Sequence, residues 1–404
     1  MWSEVARARV PGPLAPFADG FRAELDRLGY RLNAREYKVN EMSRLSRWLE
    51  GRGLGAGSLD EEVARAFLAD FGKGRRKRPT LLALRPLMDW LRREGVIGGP
   101  ARPGRRPESD LLDGYRRWML AERGLAARTI GRYEQTARRF LGSRAQEAGG
   151  GTGVEGLDAA AVTGFLLAET GRGLSPGSLR GRVAELRSLL RYLYLAGVTG
   201  CPLAAAVPPV PGWKDTAVPA RLTPAQVGAL LDGCDRTTAA GQRDLAMLLL
   251  MARLGLRAAE VAGLRLADFS WRAGELTVRG KGRRSDRMPL PADVGEAVAS
   301  YLVHARPRGV TGVAFLTVLA PHRPLVPTGV SEMVRRHCEQ TGLGPVRSHR
   351  LRHALATDLL SRGFTLPEIG QVLRQRDLAT TAVYAKVDHT ALRTLALPWP
   401  EGAR

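Results

Sequence analysis

Apolar residues recur at helical spacing in two stretches of the chain. They are Leu84, Leu87, Met88 and Leu91 in the first stretch, and Leu186, Leu189, Leu190 and Leu193 in the second. Positions three or four residues apart share one face of an α-helix, so each stretch predicts an amphipathic helix with one buried side. A glycine follows each stretch, which suits a helix C-terminus.

The two stretches belong to an internal repeat. Leu186 lies 102 residues after its match Leu84. The pair Leu157-Asp158 lies 98 residues after Leu59-Asp60, and Phe140-Leu141 lies 92 residues after Trp48-Leu49. Offsets that change gradually indicate loop insertions between matched helices. We therefore expect two copies of one helical unit, each a bundle of about four helices.

Segments rich in proline and glycine divide the chain into three parts. A basic linker is predicted at 98–107, and a second break at 207–212 precedes a C-terminal domain. There, Thr223 and Pro224 predict a helix start, and segments 274–279 and 287–290 predict a β-hairpin with a basic tip. The expected domains are 1–100 (helical), 108–207 (helical) and 213–404 (mixed α/β).

The charge balance favours a polyanionic partner. Against 62 Lys and Arg stand 40 Asp and Glu, giving a formal net charge of +22. Nucleic acid is a simpler partner than an anionic membrane surface for such a chain. No apolar run is long enough to span a bilayer, and the N-terminus lacks the basic and apolar regions of a signal peptide. We therefore expect a cytoplasmic protein without a membrane partner, associated with the nucleoid when it is bound to DNA.

Several clusters of basic residues are candidate DNA contacts. They are Lys73, Arg75, Arg76 and Lys77, then Arg128 and Arg132, and then Arg283 and Arg284. For any one cluster, a merely solvated helix or loop face is an equally good interpretation. Metal binding is not expected, because only His349 and His353 have ligand-like spacing and no third ligand is indicated. We expect no cofactor.

Two arginines could hold a phosphodiester. Arg257 follows Leu-Gly-Leu at the predicted junction of two helices, where its side chain could face an anion or could cap the preceding helix. His349 and Arg352 are three residues apart and would share a helix face. A guanidinium is a planar, permanently charged fork, so two of them can bind the non-bridging oxygens of a phosphate under attack.

Two further residues could supply the remaining chemistry. Lys281, at the tip of the predicted hairpin, carries an ammonium that can give up a proton, although a simple backbone contact is the alternative. Tyr384 could act as a nucleophile if nearby cations make its phenolate accessible, since the reference pKa is about 10. A buried structural role is the commoner fate of a tyrosine.

The order and spacing of these candidate residues resemble those of the tyrosine recombinase, or integrase, family. The residues are Arg257, Lys281, the run from His349 to His353, and Tyr384. The resemblance covers about 219–397, and 109–207 resembles the helical core-binding domain of that family. Together with the internal repeat, it implies a mainly α fold, with two tandem helical-bundle DNA-binding domains followed by a mixed α/β catalytic domain that contains a small antiparallel sheet.

The resemblance also implies roles for individual residues. Tyr384 would attack a scissile phosphate and form a 3′-phosphotyrosine link, while Lys281 would protonate the released 5′-oxygen. Arg257 and Arg352 would stabilise the transition state, and His349 would take the proton of Tyr384. Glu260 and His353 would support them.

Gln375 departs from the family pattern. The family usually has histidine nine residues before the nucleophile, often in Leu-Gly-His, whereas this chain has Leu373-Arg374-Gln375. An amide can still donate a hydrogen bond to a phosphate but cannot shuttle a proton. Gln375 therefore stays a candidate site residue.

The expected function is site-specific recombination or integration of DNA, of a transposase-like kind, for a mobile genetic element. Implied partners are double-stranded DNA, further copies of the chain as a tetramer on two DNA sites, and other recombinases of the same element. Two alternatives stay open: a catalytically silent DNA-binding relative, and relaxation of DNA in the manner of a type IB topoisomerase.

Overall fold

The structure is a computed structural model. It describes residues 9–71, 80–98, 108–147, 149–209, 222–280, 285–308, 312–344 and 346–375 of the chain. The described residues are mainly helical with one small antiparallel sheet, which confirms the predicted fold class. They form two compact units, one of residues 1–98 with 217–404 and the other of 99–216. The domain limits proposed from the sequence stay predictions. No helix in the described ranges is both long and apolar enough to cross a membrane.

The first helical set packs around its own apolar core. Its helices are α1 (Ala18–Arg27), α2 (Leu32–Glu50), α3 (Glu61–Phe71) and α4 (Leu81–Arg93). α4 buries all four of the residues that the apolar pattern selected. They lie in one cluster with Phe21, Leu45 and Phe67 from the other three helices.

The second helical set repeats this plan. Its helices are α5 (Ser109–Ala121), α6 (Ala127–Glu147), α7 (Ala159–Gly171) and α8 (Pro176–Leu195). α8 buries the four selected leucines. They pack with Tyr115, Phe140 and Leu166 in a separate cluster.

The repeat extends to the hydrogen bonds that begin and end matched helices. The Oδ1 atom of Asp60 accepts the amide of Val63 at 2.8 Å, and that of Asp158 accepts the amide of Ala161 at 2.8 Å. Both bonds cap the first turn of a helix. After α4 and α8 the chain turns through Gly95 and Gly197, which have φ of 72° and 70°. The matched positions therefore share local geometry as well as apolar pattern.

The C-terminal residues build a third core around one almost fully buried helix. The helices are α9 (Pro224–Asp232), α10 (Ala239–Leu254), α11 (Ala258–Gly263), α12 (Ala292–Ser300), α13 (Pro327–Gln340), α14 (His349–Ser361) and α15 (Leu366–Val372). Thr223 caps α9 as predicted. The buried helix is α10, which starts at Ala239 because Thr238 accepts the amide of Gly241 and caps the helix there.

The sheet has three strands in the order β1 (Phe269–Ser270), β2 (Glu275–Arg279) and β3 (Ser285–Pro289). β2 and β3 form the predicted antiparallel hairpin, with Val278 opposite Asp286. Leu276 and Val278 point into the core, while β3 is largely exposed. The hairpin tip at 281–284 lies outside the described residues.

Candidate active site

Arg257 lies at a sharp helix junction, as its sequence position predicts. α10 ends at Gly255, whose φ of +60° is a left-handed conformation that favours glycine. Arg257 then precedes α11, and its backbone amide and Nη1 donate to the two carboxylate oxygens of Glu260 at 2.9 and 2.8 Å. Its side chain stays 41% exposed. Arg257 is thus anchored on one side by Glu260 and open to solvent on the other.

Arg352 is almost completely buried and connects three segments. Its Nη1 donates to the carbonyl oxygen of Gly255 at 2.6 Å, and its Nη2 donates to the carbonyl oxygen of Leu373. Only 1% of the residue is exposed. The end of α10, the first turn of α14 and the end of α15 are therefore held together by one guanidinium, a structural role that the sequence did not indicate.

His349 and His353 stack edge to face on α14, with ring centroids 4.7 Å apart. The pKa of His349 is lowered to about 4. The main cause is that the surrounding protein displaces water, and the charges of His353, Arg352 and Arg257 add to the effect. Burial and the charge of Arg352 also lower the pKa of His353. His349 keeps an exposed edge. His349 is therefore a neutral imidazole at ordinary pH, and the same cations make it a weaker base than a free histidine.

Gln375 follows the left-handed turn that ends α15. Its backbone amide donates to the carbonyl oxygen of Gly370 at 2.7 Å. The residue before it, Arg374, has φ of 54° and lies 3.0 Å from Glu260 through its Nη2 atom. Sequence reasoning missed Arg374. The available signal was an arginine where the family pattern has glycine.

Glu260 is the acidic centre of this group. Burial raises its pKa, but the amide of Arg257, the charge of Arg374 and the guanidinium of Arg257 together lower the pKa below its usual value. Glu260 is therefore an ionised, buried carboxylate with two arginine partners. Together with Arg352, the group has three guanidiniums and one carboxylate, a net positive cluster suited to an anion.

The other predicted site residues are distributed as follows. Those outside the described residues are Lys281, Tyr384, Lys73, Arg75, Arg76, Lys77, Arg283 and Arg284. Arg128 and Arg132 lie exposed on α6, in the second compact unit, and Arg132 pairs with Glu185 at 2.6 Å. The structure therefore assembles Arg257, Glu260, His349, Arg352, His353 and Gln375.

The known proteins to which this chain is similar are integrases and recombinases. Residues 220–390 match the model of the phage integrase family. The chain is 39% identical over its whole length to "Putative integrase/recombinase y4rA" of Sinorhizobium fredii, covering 98% of that protein. It is 32% identical to the tyrosine recombinase XerD of Xanthomonas axonopodis pv. citri, over 71% of this chain and 96% of the relative.

The fold agrees as well. The structure of the XerH site-specific recombinase bound to palindromic difH substrate matches 99% of this chain and 100% of its own, with a TM-score of 0.52 and 17% identity. At this identity the likeness concerns the fold alone. The full-length sequence match, the family model and the fold lead to one conclusion: the chain belongs to the phage integrase family of tyrosine recombinases.

Proposed function

We propose that this chain is a site-specific DNA recombinase that cleaves and rejoins strands through a covalent link between Tyr384 and a 3′-phosphate. The observation that carries the proposal is the cationic cluster of Arg257, which pairs with Glu260, and Arg352, whose charges both act on His349. Two separate segments, 257–260 and α14, contribute these residues, and their charge and geometry suit a phosphodiester.

The proposed reaction is a transesterification. The oxygen of Tyr384 forms a bond to phosphorus while the bond from phosphorus to the 5′-oxygen breaks. His349, neutral at ordinary pH, takes the phenolic proton once the negative charge of the bound phosphate offsets the cations that lower its pKa, and Lys281 gives a proton to the departing 5′-oxygen. The phosphotyrosine bond keeps the energy of the broken ester, so the reverse attack by a 5′-hydroxyl rejoins DNA without ATP.

The cluster residues stabilise the transition state in different ways. Arg257 would contact a non-bridging oxygen, where negative charge develops, and its exposure on one side supports this role. Arg352 supplies a second positive charge, and its two bonds to backbone carbonyls fix the walls of the site. Gln375 offers an amide donor at the end of α15.

DNA binding is assigned to the two helical sets and to the basic tip of the hairpin. Arg128 and Arg132 project from one helix into solvent, as phosphate contacts require. We further propose that the protein serves a mobile genetic element, acts in the cytoplasm, and works as a tetramer on two DNA sites, alone or with other recombinases of the element. Exchange of four strands requires four nucleophiles, which supports the tetramer.

A covalent trapping assay tests this proposal. Duplexes recovered from a random-sequence pool by binding to the wild-type chain would carry single nicks at successive positions, so that a short 5′-hydroxyl fragment can escape after cleavage. The wild type should give an adduct that survives denaturation, and Tyr384→Phe should bind DNA without forming one. DNA binding without an adduct for both proteins would favour the silent relative. Relaxation of supercoiled DNA without recombinant product would favour the topoisomerase-like alternative.

A further inference from the structure

Arg374 adopts a backbone conformation that arginine rarely takes. Its φ is 54°, and it is the one residue other than glycine with positive φ among the described residues. The left-handed region brings Cβ close to the following carbonyl and is disfavoured for residues with a side chain. Glycine would make this turn without strain. The turn alone therefore gives no reason for arginine at this position.

The side chain of Arg374 makes contacts that glycine could not. It folds back into the protein, leaving only 9% of the side chain exposed, and its Nη2 lies 3.0 Å from Oε2 of Glu260. Its Nη1 lies 3.0 Å from the sulfur of Met288 on β3 and 3.5 Å from the carbonyl oxygen of Leu254. The guanidinium therefore links the end of α15 to α10, α11 and the sheet.

Glu260 divides its two oxygens between Arg257 and Arg374. Oε1 accepts Nη1 of Arg257, while Oε2 accepts both the amide of Arg257 and Nη2 of Arg374. A pair of Arg257 and Glu260 alone would be neutral, and its attraction for a phosphate would be weak. With Arg374 the trio has a net charge of +1, held in a partly buried place where solvent screens it little.

We propose that Arg374 is a positioning residue of the DNA-cleavage site: it holds Glu260, which orients Arg257, and it offsets the charge of Glu260 so that Arg257 faces the scissile phosphate with its positive charge undiminished. This inference rests on the proposed function. Arg374 acts through Glu260 and Arg257 and does not touch the DNA.

The first test compares rates of adduct formation for variants that differ in charge. Arg374→Gln should slow the reaction roughly ten- to hundredfold, because Arg257 loses both its alignment and part of its effective charge. Arg374→Lys should recover most of the rate. The matched control is Arg362→Gln, since Arg362 lies exposed beyond the end of α14 and pairs with Asp358 at 3.0 Å. It should react at the wild-type rate.

Arg374→Gly separates the side chain from the backbone. Glycine relieves the left-handed turn, so this variant should resist heat at least as well as Arg374→Gln, yet it should cleave as slowly. A wild-type rate for the glycine or glutamine variant would overturn the inference. So would an equal loss for the lysine and glutamine variants, because the charge would then be irrelevant.

Two further readouts distinguish positioning from simple structural support. Without the charge of Arg374 the pKa of Glu260 should rise, so the acid limb of the rate profile should move to higher pH, and Glu260→Gln should abolish that movement. On a duplex with a neutral methylphosphonate at the cleaved position, the difference in the rate of adduct formation between wild type and Arg374→Gln should become smaller. The proposal would be overturned if Arg374→Gln left the acid limb of the rate profile in place and the rate difference stayed the same on the methylphosphonate duplex.

The assay also separates this inference from the function on which it rests. If the wild type forms no adduct on any nicked duplex, the proposed function fails and the inference with it. If the wild type forms the Tyr384 adduct and Arg374→Gln matches its rate, only the inference fails.

Discussion

Arg352 donates a hydrogen bond from Nη1 to the carbonyl oxygen of Gly255, 2.6 Å away and 97 residues earlier in the chain. The same guanidinium also donates to the carbonyl of Leu373. An arginine proposed to stabilise a phosphate thus also fastens together the backbone segments that form the site. Stability and activity should therefore both depend on it.

Arg352→Ala should destabilise the protein strongly. Loss of the guanidinium leaves two buried carbonyl oxygens without these donors, and each such group costs about 1–3 kcal/mol. We expect the free energy of unfolding to fall by about 2–5 kcal/mol, measured by urea denaturation. Arg362→Ala, at an exposed site just beyond the end of the same helix, should change it by about 0.5 kcal/mol or less. Equal effects for both variants would contradict the structural role of Arg352.

His349 should make stability depend on pH in a defined window. Its pKa is about 4 in the folded protein and 6.5 when unperturbed. Between pH 4 and 6.5 this histidine is protonated in the unfolded chain but neutral in the folded protein. The free energy of unfolding should therefore rise as the pH rises through this window. His349→Gln should flatten this dependence, and adding His353→Gln should flatten it further. Parallel wild-type and His349→Gln profiles would show that the imidazole does not titrate as described.

Part of this site could be predicted from the sequence because it depends on local signals. Turn residues predict the helix junction at Arg257 and the hairpin. Helical spacing predicts that His349 and Arg352 share a face. The repeat was also visible, because buried positions in matched helices must be apolar in both copies.

Contacts between distant segments could not be predicted in this way. The bond between Arg374 and Glu260 spans 114 residues, and no periodicity relates the two. The burial of Arg352 likewise depends on which backbone carbonyls the fold brings to it. Arg352, which the sequence suggests as a phosphate ligand, therefore also links distant segments of the backbone.

Gln375→His should leave the rate of adduct formation equal or raise it. The bond from the backbone amide of Gln375 to Gly370 does not involve the side chain, so the turn should survive the change. Histidine can donate to the phosphate and also shuttle a proton. Gln375→Ala, which lacks a donor, should be slower by about a hundredfold. A large loss in Gln375→His would show that the amide itself is required.

Arg128 and Arg132 should contribute to the salt dependence of DNA binding. If each neutralises one phosphate, replacing both with glutamine should reduce the slope of log affinity against log salt concentration by about 2. Arg335→Gln, a control that removes one positive charge from α13 where Arg335 pairs with Glu332 and Glu339, should leave the slope unchanged. Because Arg132 also pairs with Glu185, thermal unfolding must show that the double variant is folded. An unchanged slope would remove both residues from the interface.

The most direct test of the account is to map the covalent bond in the trapped complex. Protease digestion of the wild-type adduct, followed by mass spectrometry of the DNA-linked peptide and labelling of both DNA ends, identifies the amino acid and the phosphate that are joined. We predict a single peptide containing Tyr384, linked to a 3′-phosphate, with a free 5′-hydroxyl on the released strand. A link to another residue or to a 5′-phosphate would contradict the mechanism proposed for the Arg257, Glu260 and Arg352 cluster.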